Sequence, residues 1–288
     1  MPTRVHDVLA QSDALVFPGV YDTLSAKIAE GVGFHLAFVS GYAVSATFIG
    51  EPDFGLLTQS EVVDRARRIC SSVDIPIIVD ADTGYGNPLN VMRTVRELID
   101  AGAAGCFLED QQWPKRCGHM RGKRVIPRDE YVEKIRAAVD TKGDADFFIV
   151  ARTDAIAAIG VDEAVSRADA ATTAGADATF IEAPRSMEEL AEVGRRAPKP
   201  TVANMIEQGR TPVLPKEQLA ELGFQLILYP LTGLYASAKA LETAYGQLRA
   251  NGTTAGREGQ LIAFERFNEL VGVDEKYALS DKYSKKEH

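Results

Sequence analysis

Pro76-Ile77-Ile78-Val79-Asp80-Ala81-Asp82-Thr83-Gly84, followed by a helical pattern over 88–101 and a second apolar run at 105–109, decides the fold. The first run is apolar on consecutive residues, as a strand buried on both faces must be. Comparable runs lie at 14–18, 36–40, 147–151, 178–182, 200–204 and 226–229. Amphipathic segments separate them, at 22–31, 59–72, 88–101, 128–141, 161–174, 187–196 and 215–222. Their ends carry Ala-Gly, Glu-Leu-Gly or Glu-Gly-Val-Gly, as glycine C-caps do. Strand–helix alternation of this kind predicts an α/β fold, a (β/α)8 TIM-type barrel. A doubly wound sheet would want G-x-G-x-x-G after its first strand, and none is there. Beyond the eighth run, helical stretches at about 234–250 and 257–270 exceed a minimal barrel, and a charged tail at 276–288 reads as mobile. The whole of 1–288 reads as one barrel domain with C-terminal helices from about 234.

Composition bounds the function. The chain has 288 residues, 45% hydrophobic and 25% charged, with net charge -9. There is no basic stripe, which argues against nucleic acid. No apolar run is long enough for a membrane helix, and the N-terminus lacks a secretory layout, so the expectation is cytoplasmic. Three scattered cysteines do not make a disulfide framework. Cys70 and Cys106 sit in apolar or helical company and read as packing. Cys117, flanked by Lys115, Arg116 and His119, reads as reactive.

In a barrel of this kind the chemistry lies at the C-terminal strand ends. Those ends carry Ser40-Gly41-Tyr42, Asp80-Ala81-Asp82, Glu109-Asp110, Arg152-Thr153-Asp154, Glu182 and Asn204. Asp80, Asp82 and Glu109 offer hard oxygens, suited to Mg²⁺ or Mn²⁺. Asp82 has a second reading, as a cap for the helix beginning near Asn87. Arg152 suits a substrate carboxylate or a salt bridge to Glu182. Asn204 can bind a carboxylate or satisfy a loop. Ser40 and Gly41 offer a hydroxyl and backbone N–H groups to an oxyanion. Asp53 reads as a gate or a turn-former, and His119 as an orienter of the cysteine loop. Arg152, Arg210, Lys115 and Arg116 supply positive charge for an anion. Phe38, Tyr42, Phe48 and Trp113 are candidates for an apolar wall. His6 and His35 read as structural, and His288 as part of the tail.

Several of these motifs together resemble the isocitrate lyase/phosphoenolpyruvate mutase superfamily, specifically its short-chain lyase branch. They are Ser40-Gly41-Tyr42, Pro52-Asp53-Phe54-Gly55, Asp80 to Gly86, Glu109-Asp110-Gln111, Lys115 to His119, Ala151 to Asp154, and Gly209 to Pro212. The resemblance spans about 17–256. It implies Mg²⁺-dependent cleavage of a carbon–carbon bond in a 2-hydroxy di- or tricarboxylate, with the metal held by Asp80, Asp82 and Glu109 partly through water. Cys117 would protonate the carbanion. Arg152, Glu182 and Tyr42 join it as catalytic residues, Tyr42 or Glu182 being candidates for the base beside a metal-bound hydroxide. Ser40, Gly41, Gly118, His119, Asn204 and Asp53 would bind substrate. The resemblance also implies a homotetramer, a dimer of dimers exchanging a C-terminal helix. Among substrates, Ser-Gly-Tyr with Gly-Arg-Thr-Pro is similar to 2,3-dimethylmalate lyases. Methylisocitrate cleavage, oxaloacetate hydrolysis or decarboxylation, and carboxyphosphonoenolpyruvate phosphonomutase chemistry are the alternatives.

Overall fold

The computed structural model describes residues 3–120 and 122–284. Eight parallel strands are joined by helices: β1 (Leu15–Val20), β2 (Ala37–Val39), β3 (Ile77–Asp80), β4 (Gly105–Glu109), β5 (Phe148–Thr153), β6 (Ala178–Ile181), β7 (Val202–Asn204) and β8 (Leu226–Tyr229). Their order is β6-β5-β4-β3-β2-β1-β8-β7. A parallel bridge between Thr179 and Thr201 joins β6 to β7, completing a (β/α)8 barrel. The two threonine hydroxyls meet at 3.0 Å across that seam.

The alternation of side chains along each strand explains both the core and the site. Inward residues form one cluster: Phe17, Leu36, Phe38, Ile78, Phe107, Phe148, Val150, Ala178, Phe180, Val202 and Leu228 among them. Outward residues such as Ile77, Val79, Cys106, Leu108, Ile149 and Ala151 pack in a second cluster with residues of the surrounding helices. Extending the inward parity by one step reaches Ser40, Asp80, Glu109, Arg152, Glu182 and Asn204. The hydrophobic core therefore ends in a ring of polar groups. Phe107 lies 4.6 Å from Phe38 and 5.5 Å from Phe180, ring centroid to centroid, and these rings floor that ring of polar groups.

Helices cover the outside: α2 (Thr23–Gly31), α3 (Gly41–Val44), α4 (Gln59–Cys70), α5 (Pro88–Asp100), α6 (Arg128–Lys142), α7 (Ala155–Ala158), α8 (Val161–Thr173), α9 (Met187–Arg196) and α10 (Lys216–Glu221). Gly102 and Gly175 follow α5 and α8 with φ of +85° and +103°, a region that side chains resist. Short helices were not foreseen, among them α3, α7 and α1 (Arg4–Leu9), the last capped by Thr3 and inserting Val5 into the inward cluster. Helix α1 is a single short turn-and-a-half, below the length at which periodicity is readable. His6 completes that capping box, so it is structural as expected.

Asp110, next to Glu109, has the opposite parity and points away from the barrel interior. It accepts Thr153 Oγ1 at 2.6 Å, the Asp154 N–H at 2.9 Å and Arg167 Nη1 at 3.0 Å. The acidic pair at the end of β4 is thus split between two layers. Arg167→Ala is expected to leave a buried carboxylate without its cation and to cost about 3–5 kcal/mol. Urea unfolding of the variant measures this, and a midpoint at the wild-type value would remove Asp110–Arg167 as a structural pair.

Contacts divide the chain into two compact units, 1–234 and 235–288. The first holds the barrel. In the C-terminal part lie α11 (Thr232–Asn251), a short 3-10 turn (Glu258–Gln260), α12 (Phe264–Val271) and α13 (Val273–Tyr283). The expected helix at 257–270 is therefore broken, because Leu261 adopts extended backbone after the 3-10 turn. The tail expected to be mobile is helical through Tyr283, and its last four residues, His288 included, lie outside the described residues. No helix among the described residues is long and apolar enough to cross a membrane.

Candidate active site

One cavity at the C-terminal mouth gathers Ser40, Tyr42, Asp53, Asp80, Cys117, Gly118, Arg152, Glu182 and Asn204. Lys115 lines it too, and Phe38, Phe180, Ile206, Leu228, Pro230 and Leu231 form its apolar side. Gly41, Asp82, Glu109 and His119 do not line this cavity but support residues that do. Gly41 stands so close to Asp80 that a Cβ there would meet Oδ2 at 2.8 Å. His119 approaches Glu182 at 3.4 Å and accepts the Arg210 N–H at Nδ1.

Arg152 binds the wall's carboxylates. Its Nε lies 3.0 Å from Asp154 and 3.2 Å from Glu109, and Nη2 lies 3.9 Å from Glu182. The expected Arg152–Glu182 bridge is therefore the longest of the three. Its guanidinium also sits 5.2 Å from the Phe180 ring centroid. Asn204 donates to both Glu182 oxygens, at 3.3 and 3.2 Å, leaving its own Oδ1 buried without a hydrogen-bond partner. Ser40 caps α3 by accepting the Ala43 N–H.

Lys115, expected as positive charge for an anion, has carboxylate partners that the sequence did not reveal. It is 3% exposed, and its ammonium bridges Asp53 at 2.6 Å and Asp82 at 2.5 Å. Although burial works against its charge, Asp82 and Asp53 hold Lys115 well above the usual lysine range. Asp53 is thus an ion-pair partner in the site, with its backbone carbonyl accepting the Cys117 N–H. Asp82 does not cap α5, since Asn87 accepts the Leu89 and Asn90 N–H groups itself.

The cysteine stands in an excursion that leaves β4 at Gln111 and returns at Val125, where the two residues form an antiparallel bridge. Gln111 staples it internally, donating to the Arg116 carbonyl at 2.7 Å and accepting its N–H at 3.1 Å. The positive charge expected to make Cys117 reactive is directed elsewhere. Lys115 spends its charge on two aspartates, Arg116 sits 5.6 Å from the Phe54 ring centroid, and burial lowers the His119 imidazole below its ordinary value. Burial, with Asp53 adding to it, pushes the Cys117 thiol up to about 12. The group is a held proton, not a nucleophile. Native protein at pH 8 should then alkylate at Cys117 about a thousandfold more slowly than a free thiol. Labelling with iodoacetamide and peptide mapping reads this; a rate near that of free cysteine would discard the protonated assignment.

Two further expectations change. Phe48 and Trp113 are absent from the cavity wall: Phe48 lies under Arg65, and Trp113 packs over Gly55 and is 46% exposed. Arg116 and Arg210 likewise bring no side chain to the cavity, leaving Arg152 and Lys115 as its cations among the described residues. Phe180 could have been found from parity, two residues before Glu182.

Glu109 Oε1 is buried and accepts no hydrogen bond, an arrangement that a nearby cation relieves. Burial pushes the Glu109 carboxyl well up, against the pull of Arg152. Among the described residues no three acidic, histidine or cysteine side chains converge closely enough to enclose an ion alone. The oxygens fit a hard ion that keeps ligands of its own, as Mg²⁺ does.

The profile of the family described as phosphoenolpyruvate phosphomutase matches residues 6–249. The chain belongs to that family. Within the family, it is 51% identical to a chloroplastic carboxyvinyl-carboxyphosphonate phosphorylmutase of Arabidopsis thaliana, over 98% of this chain and 84% of the relative. It is 44% identical to a 2,3-dimethylmalate lyase of Eubacterium barkeri, over 94% of each. A solved oxaloacetate acetylhydrolase in complex with 3,3-difluorooxalacetate superimposes with a TM-score of 0.91 at 36% identity, covering 99% of this chain and 97% of that one. Phosphoenolpyruvate phosphomutase relatives thus bear names from several reactions, and the site must decide among them.

Proposed function

We propose that this chain is a Mg²⁺-dependent carbon–carbon lyase that cleaves a 2-hydroxy dicarboxylate, an alkylmalate such as 2,3-dimethylmalate, into a 2-oxo acid and a carboxylic acid. The observation that carries this reading is the half-buried Cys117 thiol, which lines the same cavity as Arg152, Asn204 and Ser40. Cleavage between C2 and C3 leaves an electron pair on C3, and a carbanion beside a carboxylate is far more basic than a thiol. Proton transfer from Cys117 to C3 is therefore downhill even from a thiol at about 12. Arg152 and Asn204 hold the carboxylate that accepts the charge, and Ser40 with the Gly41 N–H holds an oxyanion. The 2-hydroxyl proton leaves to a base, for which Tyr42 and Glu182 are the candidates on this cavity. Asp80, Asp82 and Glu109 would hold Mg²⁺, which when bound polarises the 2-oxygen and its neighbouring carboxylate. His119 and Gly118 position Glu182 and the cysteine. Leu228, Pro230 and Leu231 take the alkyl substituents.

A phosphonomutase moves a phosphorus–carbon bond and has no use for a proton delivered to carbon. The thiol thus speaks for the lyase even beside the phosphorylmutase name of one relative. The test is 2-oxo acid release, with and without chelator, from 2,3-dimethylmalate, 2-methylisocitrate, oxaloacetate and a phosphonate. Release from an alkylmalate supports the lyase. Oxalate from oxaloacetate, or turnover of the phosphonate alone, would overturn it.

We also propose that the chain assembles as a homotetramer through its C-terminal helices. Leu241, Tyr245, Leu248, Phe264, Phe267 and Tyr277 are exposed there, more apolar surface than a lone chain ordinarily leaves in water. Light scattering should give the mass of four chains, and a monomer would refute the assembly.

A further inference from the structure

Lys123 lies on the returning arm of the cysteine excursion, yet its side chain is 1% exposed. Its ammonium donates to the Gly118 carbonyl and to Asp154 Oδ1, the latter at 2.6 Å. Asp154 is fully buried and also receives Arg152 Nε at 3.0 Å and Nη2 at 3.3 Å. One carboxylate is thus shared between the lysine of the excursion and the arginine of the cavity wall. Burial would raise the Asp154 carboxyl, but Arg152 and Lys123 overcome it and hold the group down at about 2. Asp154 is therefore an anion at any working pH, and both cations keep their partner.

Burying an ammonium in a surface excursion carries a desolvation cost that a solvated loop would avoid. What it supplies is a fixed carbonyl at Gly118, adjacent to Cys117. The neighbouring geometry leaves little slack: a Cβ on Gly118 would fall 1.9 Å from Glu182 Oε1. The other anchors of this excursion are the Lys115 ion pairs with Asp53 and Asp82, the Gln111 side chain on Arg116, the Cys117 N–H to the Asp53 carbonyl, and the His119 ring, which accepts the Arg210 N–H and approaches Glu182. What Lys123 adds is a direct bond from this segment to Asp154, the partner of Arg152.

We propose that Lys123 is a positioning residue, fixing the Cys117–Gly118 segment over the cavity and tying its placement to the Asp154–Arg152 pair. When a substrate carboxylate draws on Arg152, Asp154 retains a cation, so the segment stays in register while the arginine works. The kinetic part of this proposal rests on the lyase reading; the structural part does not.

The test compares full-length wild type, Lys123→Met and Lys123→Arg by two readouts. One is the alkylation rate of Cys117, mapped by peptide. The other is kcat and KM on the alkylmalate. Lys123→Met should expose the thiol and raise its labelling rate about tenfold or more. Its kcat should fall about 100-fold with KM within about threefold, as misplacement of a reacting group does. Lys123→Arg should recover most of both. A folded Lys123→Met with wild-type labelling and kcat overturns the proposal. Should Lys123→Met not fold, Lys123→Gln carries the same labelling comparison. Wild type without lyase activity would remove the functional reading and leave the labelling comparison to decide the role of Lys123.

Discussion

Cys117→Ser is expected to lower kcat by about 10³-fold, the scale of losing a positioned acid. Serine fits the space and leaves the Cys117 N–H bond to the Asp53 carbonyl untouched, so the fold and any metal binding should persist. Its hydroxyl gives up a proton far less readily than a thiol, which is the property removed. The pH profile of the wild type adds a second check. A thiol raised to about 12 stays protonated throughout the working range, so no loss of rate attributable to it should appear between pH 7 and 10. An alkaline limb near the free-thiol value that disappears in the variant would show the thiol titrating there. Turnover within threefold of wild type in Cys117→Ser would remove the acid assignment altogether.

Asp80→Asn should abolish turnover to a similar extent, by a different route. The change keeps size and keeps an oxygen for the Asp82 N–H, which Asp80 accepts at 3.1 Å, so the turn after β3 is preserved. What is lost is one negative charge among the oxygens facing the cavity, and hard divalent cations depend on that charge. The apparent affinity for Mg²⁺ should fall at least about tenfold, read by calorimetry independently of catalysis. Wild-type protein treated with excess chelator should be as inactive as the variant and regain activity on adding Mg²⁺. Full activity after chelation would count against the whole metal assignment.

Much of the barrel was legible because a parallel strand buried on both faces leaves an unbroken apolar run, and eight such runs stand between helical patterns. The crown of polar residues was legible for the same reason: Asp80, Glu109, Arg152, Glu182 and Asn204 each end such a run. What the runs conceal is depth. Glu109 and Asp110 are adjacent in sequence and face opposite ways, a distinction set by parity within β4. The partners of Lys115 and Lys123 were hidden, because sequence does not say which carboxylate a flexible side chain will meet across 33 or 31 positions of chain, as Lys115 meets Asp82 and Lys123 meets Asp154. The surroundings of the thiol were hidden on the same ground. Its basic neighbours in sequence are committed elsewhere in space, and burial decides its protonation.

The phenylalanine layer beneath the crown has a consequence for how such a protein changes over generations. Phe38, Phe107 and Phe180 belong to the packed interior, whereas the groups that choose a reaction stand one storey higher on the same strands. Replacement in the upper storey alters what is bound and broken without opening a void below. Stability and chemistry are thereby inherited separately, and a lineage built on this barrel can exchange one reaction for another while its folding is left alone.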